Sequence, residues 1–121
     1  MVRFADAPTS GAKALVNKGL ALDELGRGEE ALPSFDQVVT RFGDAPEVAF
    51  REVVAQALYS TALTLSGLGR DEEAFVASDQ VVVHFGDAPE PALREQVAQA
   101  LSERDLALHQ LGRPPGGARR F

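Results

Sequence analysis

Residues Asp36 to Arg70 read DQVVTRFGDAPEVAFREVVAQALYSTALTLSGLGR, and residues Asp79 to Arg113 read DQVVVHFGDAPEPALREQVAQALSERDLALHQLGR. The two stretches lie 43 residues apart and agree at 23 of 35 positions, so the chain is built on an internal repeat. A partial third copy, KALVNKGLALDELGR from Lys13 to Arg27, keeps the same phase at Ala14/Ala57/Ala100, Leu25/Leu68/Leu111 and Gly26/Gly69/Gly112. Further upstream, RFADAP at Arg3 to Pro8 echoes RFGDAP at Arg41 to Pro46 only 38 residues earlier, which leaves the first copy five residues short.

The repeat explains why eleven Gly and seven Pro occur in a chain otherwise rich in helix formers. They fall at two recurrent breaks. In Phe42-Gly43-Asp44-Ala45-Pro46-Glu47, Gly43 suits a left-handed helix end, and Asp44 with Glu47 has the spacing of a capping box. Pro46 is then expected in the first helical turn, where a missing N–H costs nothing. Gly86, Asp87, Pro89 and Glu90 repeat the device, and Leu-Gly-Arg at 25–27, 68–70 and 111–113 marks the second break.

Between breaks, apolar residues recur at steps of three and four, as in Val54, Leu58, Ala62, Leu65 and Leu68. Acidic pairs and triplets, Glu29-Glu30 and Asp71-Glu72-Glu73, open the following segments as the helix dipole prefers. The expectation is an all-α fold of five helices at 10–25, 28–42, 45–67, 71–84 and 88–111. Val81-Val82-Val83 favours a strand locally but copies a helical segment, and Pro33 is expected to bend the second helix or weaken it.

Length and charge limit the function classes. The 121 residues make one domain, 1–113, followed by a flexible tail at 114–121 that begins Pro114-Pro115-Gly116-Gly117. Twelve basic against eighteen acidic residues give a net charge of −6, which repels phosphate backbones and anionic lipid, so neither nucleic acid nor membrane is the expected partner. There is no cysteine for a disulfide, a thiolate nucleophile or a thiolate metal site. MVRFADAPTS lacks the apolar core of a secretion signal, and cytoplasm is the expected address.

The gapless stretch ALVNKGLALDELGRGEEALPSFDQVV, Ala14 to Val39, resembles the tetratricopeptide repeat. Gly19 stands at that family's small first-helix position, Leu22 at its large core position, Gly26 at its turn, Ala31 at its small second-helix position and Phe35 at its aromatic core position. The second copy carries Ala62, Leu65, Gly69, Ala74 and, less typically, Ser78. Leu15, Leu58 and Leu101 replace the family's early aromatic, and the repeat is 43 residues rather than about 34, with the extra residues ahead of the first helix. The resemblance implies a right-handed superhelical solenoid of helical hairpins, about two and a half repeats, in which small residues let paired helices approach closely.

At the end of such a solenoid, Asp105 stands where Ala62 does in the middle copy. A carboxylate there cannot be buried cheaply, which suits a solvent-facing capping helix over 88–111. A stretch cut from a longer array is the other reading of the same end.

Catalytic chemistry finds little support. His84 and His109 do not share a ligand spacing, and no metal or other cofactor is expected. Asp23-Glu24 and Glu29-Glu30 read as solvated turns, no serine sits in a Gly-x-Ser-x-Gly elbow, and Gly26-Arg27-Gly28 lacks the residues of a phosphate loop. The expected role is a non-catalytic scaffold or adaptor that binds a protein or peptide.

In the tetratricopeptide family the first helices line a concave groove, and alignment carries its lining to Lys13, Val16, Asn17, Leu20, Asp23 and Glu24. The second copy supplies Gln56, Tyr59, Ser60, Leu63, Ser66 and Gly67, and the third Gln99, Ser102, Glu103, Leu106, His109 and Gln110. Leu20, Leu63 and Leu106 form a ladder beside Tyr59 on which a peptide or helix would place apolar anchors. Plain helix packing would produce the same ladder. Val16 and Leu20 stand where the chaperone-tail-binding subset of that family has Lys and Asn, which argues against a chaperone-tail adaptor. Self-association through solenoid ends into a homo-oligomer is the alternative role, and it would make the melting temperature depend on concentration.

Overall fold

The computed structural model describes residues 7–112; the expected tail at 114–121 and most of the first RFADAP turn lie outside them. Five helices follow in order: α1 (Ala7–Glu24), α2 (Gly28–Phe42), α3 (Val48–Gly67), α4 (Asp71–Phe85) and α5 (Pro91–Gln110). There is no strand among the described residues. Helix α2 has the expected bounds and runs through Pro33, which is exposed. Val81-Val82-Val83 is helical, because Val81 is fully buried and tertiary packing outweighs its β preference.

The two kinds of break are built differently. At Leu-Gly-Arg, Gly26 has φ +78° and Gly69 φ +77°, the left-handed backbone that favours glycine. The Arg27 amide donates to the Leu22 carbonyl at 2.8 Å and the Gly26 amide to Asp23 at 3.0 Å, with the same pair from Arg70 to Leu65 and Gly69 to Ser66. These bonds satisfy the last carbonyls of α1 and α3. Each turn then pins the next helix with a fork from arginine to glutamate, Arg27 to Glu30 and Arg70 to Glu73, at 2.6 and 2.9 Å in each copy. Arg70 also reaches Glu29 at 2.9 Å, which ties the α3–α4 turn to the start of α2.

The Phe-Gly-Asp-Ala-Pro break corrects the expectation. Gly43 and Gly86 are right-handed, with φ −60° and −59°, and their amides donate to the Val39 and Val82 carbonyls. Glycine recurs there because a Cβ would sit 2.5 Å from those carbonyl oxygens. No capping box forms, and α3 and α5 begin three residues later than expected. Glu47 and Glu90, with extended backbone, precede their first residues and make no side-chain cap bond. Pro46 therefore lies ahead of α3, whereas Pro91 occupies the first turn of α5.

Each helix packs on its sequence neighbours, and α3 also packs on α1 and α5. Between α2 and α4 no Cα atoms come within 8 Å. Helix α3 is central, burying Val53, Val54, Ala57, Leu58, Ala62 and Leu65 on several sides. Phe35 and Val38 of α2, Val81 and Phe85 of α4 and Leu93 and Ala100 of α5 join it in one core. Ala31, Ala62 and Ala74, the expected small contact residues, are fully buried. Asp105 is exposed on the outer side of α5, and the Arg104 guanidinium donates to Asp79 at 2.8 Å to fasten that helix to α4.

Candidate functional site

The expected groove residues fall on α1, α3 and α5, which adjoin in that order. Leu63 and Leu106 are 42% and 44% exposed, at equivalent places in successive repeats. Tyr59 and Leu20 are half-buried against the core, and Gln56 and Ser66 are half-buried too. Lys13, Asn17 and His109 are exposed, as are Asp23, Glu24, Gly67, Gln99, Ser102 and Gln110. Val16 is a correction: it is 1% exposed, packed in the main core, and has no surface to offer a ligand. Ser60 is buried as well. The ladder therefore has two open rungs, and Leu20 is a partly covered third.

Glu103 is the electrostatic oddity of this face. It occupies the repeat position of Asn17 and Ser60, is only 7% exposed, and its Oε2 has no hydrogen-bond partner. Burial pushes its carboxyl above the ordinary glutamate range; the Ser66 hydroxyl beside it pulls the other way, and Asp71 pushes it further up. Burial likewise raises the Tyr59 phenol, and Glu103 adds to the effect. A carboxyl whose folded pKa lies above its unfolded value binds protons more readily folded, so its penalty is relieved as pH falls and is fully present above the folded pKa. Glu103→Gln is expected to raise stability near neutral pH by about 1 kcal/mol, and the gain should shrink as pH drops toward the ordinary glutamate range. Thermal melts of both proteins across that range check this; a gain constant with pH would mean Glu103 is not titrating from a buried site.

A second concavity lies where the sequence reading placed nothing. Because α2 and α4 stand apart, α3 floors a groove between them. Two cavities of about 490 Å³ each and a third of about 410 Å³ run along it and share lining residues: Val39, Leu58 and Gln80 join the first two, and Asp36, Thr61, Leu65 and Glu73 the second and third. The middle cavity is walled by apolar Val39, Leu58, Leu65 and Val76 and by the carboxylates of Asp36, Glu72 and Glu73. At one end Arg51 lies over the Phe85 ring, 5.6 Å from its centroid, and 3.8 Å from Glu90. The available signal was Val76: it is the repeat equivalent of Pro33, and both positions face out of their helices.

Among the described residues no group of three or more His, Asp or Glu is placed to hold a metal ion, and no helix is long and apolar enough to cross a membrane. No protein-family model matches the chain, and no curated protein or solved structure matches it.

Proposed function

We propose that the chain is a tetratricopeptide-like array of about two and a half helical hairpins, wound right-handed, that acts as a non-catalytic protein-interaction module. The order of packing supports the array: each helix touches its neighbours in the chain, and α1, α3 and α5 form one tier with α3 between the other two. The observation that carries the function is the exposure of Leu63 and Leu106. Two equivalent leucines in successive repeats stay 42% and 44% open beside half-buried Tyr59. A peptide or helix laid across α3 and α5 would bury both, and Gln56, Ser66 and His109 would set its register.

The test is affinity capture from the native lysate with wild type and with Tyr59→Ala/Leu63→Ser, alongside Leu63→Ser alone. Leu63 is exposed, so its change costs little stability, and circular dichroism verifies that the double variant stays helical. Proteins enriched by wild type should fall about tenfold with the double variant and by less with the single one. Equal capture by all three folded proteins would move the binding site off this face.

A further inference from the structure

We propose that α5 is a reversible latch worked by a single proton: it stays seated on α3 and α4 while the Glu103 side chain is neutral, and is released as that carboxyl ionises. The polar groups that α5 carries into the interior point to this. Among the described residues three buried side-chain oxygens have no hydrogen-bond partner: Glu90 Oε1, Gln96 Oε1 and Glu103 Oε2. All three belong to α5 or to the residue just before it. Each gives up water on docking with no bond in exchange, so each favours the open helix. Gln96 does not ionise, and Glu90 has the Arg51 guanidinium 3.8 Å away to balance its charge. Glu103 is the most enclosed of the three, at 7% exposure. In the second half of α5 the buried residues are Ala100, Glu103 and Ala107, so the carboxyl sits in the part of the seam where apolar side chains are smallest.

The surroundings favour the neutral form. From α3 Glu103 meets the Tyr59 phenol and the Ser66 hydroxyl, and from the start of α4 it meets Asp71, a second acid. The arginines next in sequence to these acids are engaged elsewhere: Arg104 donates to Asp79 at 2.8 Å, and Arg70 to Glu73 and Glu29. Burial holds the docked carboxyl above the ordinary glutamate range; Ser66 opposes it and Asp71 adds to it. In the open helix the same carboxyl stands in water and titrates at about 4.3. Below that pH both forms are protonated and docking has its full strength. Above it only the docked form keeps the proton, so the open population grows with pH until the docked carboxyl too has ionised. The arginine forks respond the other way, since hydrogen bonds to Arg27 and Arg70 hold Glu30 and Glu73 below the ordinary range and are lost as pH falls. Raising pH therefore loosens α5 while leaving those turns paired. On the reading of the first-helix face as the binding site, release of α5 withdraws Leu106 and makes that face sensitive to pH.

The experiment is native-state hydrogen exchange of the full chain, read amide by amide by NMR from about pH 4.3 to about pH 7, for wild type, Glu103→Gln and Glu95→Gln. Comparing the proteins at the same pH cancels the intrinsic pH dependence of exchange. Glu103→Gln keeps the shape of the side chain and cannot ionise. Glu95 is exposed on the same helix, so its change removes an equal charge from the surface. Amides of α5 are expected to exchange about equally in wild type and Glu103→Gln at the acid end, and about fivefold faster in wild type at the neutral end. Those of α1 and α2 should differ by less than about twofold throughout, and Glu95→Gln should follow wild type. A ratio at α5 that does not change with pH would overturn the latch, because Glu103 would then not be the titrating group. So would the same shift in Glu95→Gln, or a rise shared equally by all five helices, which would place the effect on global unfolding. The measurement involves no partner, so a failed capture experiment leaves it standing, and a failed latch leaves the binding face untouched.

Discussion

Phe35→Ala is expected to lower stability by about 3–5 kcal/mol, a loss typical of a fully buried phenylalanine. The ring is completely enclosed and is the largest fully buried side chain of the described residues. It fills the space that Gly19 leaves on α1: a Cβ built on Gly19 would lie 2.5 Å from the ring Cε1 and 2.8 Å from Cζ. The two positions are therefore coupled. Gly19→Ala in the wild-type background drives a methyl into a ring that cannot leave, and overpacking of about 1–3 kcal/mol exceeds the ~0.5–1 kcal/mol that alanine gains in a helix. With Phe35 already cut to alanine, the same methyl enters free space and should be neutral or stabilising. Denaturant unfolding of the two single variants and the double variant measures this as a coupling energy of at least about 1 kcal/mol. A loss below about 1 kcal/mol for Phe35→Ala, or simple additivity, would mean that α1 and α2 do not meet as described.

That pair also shows what the sequence made legible and what it did not. The second copy holds Ala62 and Ser78, both fully buried, where the first has Gly19 and Phe35, so one copy uses a small residue with a ring and the other uses two small residues. The repeat phase alone identifies these positions, and the same phase located all five helices and the Leu-Gly-Arg turns. It misplaced the starts of α3 and α5, because Asp44-x-x-Glu47 has the spacing of a capping box but Asp44 lies in a turn and Glu47, still extended, precedes the first residue of α3. Local spacing names candidates for a cap; the geometry of the preceding turn decides among them. The proposed binding face was legible to a similar depth. Periodicity puts Val16 in register with Tyr59, yet α1 lies at the edge of the tier and Val16 turns into the core. The α2–α4 groove was only faintly legible: the sequence offers Val76 at the repeat position of Pro33, and a gap between two helices shows only once both are placed. Glu103 likewise looked like an ordinary polar surface residue; only its packing against α3 and α4 makes it a buried carboxyl.

Leu93→Ala should cost about 2–5 kcal/mol, and the larger consequence concerns where that cost falls. Leu93 and Ala100 are the fully buried apolar residues by which α5 joins the main core, with Val97 half-buried between them. Leu93 is much the larger, so its truncation removes most of the apolar grip of the first half of the helix. What remains is Ala100 with half-buried Val97, the Ala107 contact with a second, smaller cluster of Ala62, Leu65, Ala74 and Ala77, and the Arg104–Asp79 pair, which is partly exposed and adds little. Among the described residues helix α5 packs only on α3 and α4, so nothing from α1 or α2 holds it once that grip weakens. In an array with neighbour-only contacts, the terminal unit opens ahead of the rest. Native-state hydrogen exchange on Leu93→Ala should therefore show the amides of α5 losing protection strongly, those of α4 partly, and those of α1 and α2 little. Phe35→Ala is expected to give the opposite gradient, since its ring lies between α1 and α2. If both variants instead lower protection equally in every helix, the five helices open as one cooperative unit, and the stacked, neighbour-by-neighbour energetics that underlie the repeat reading are wrong.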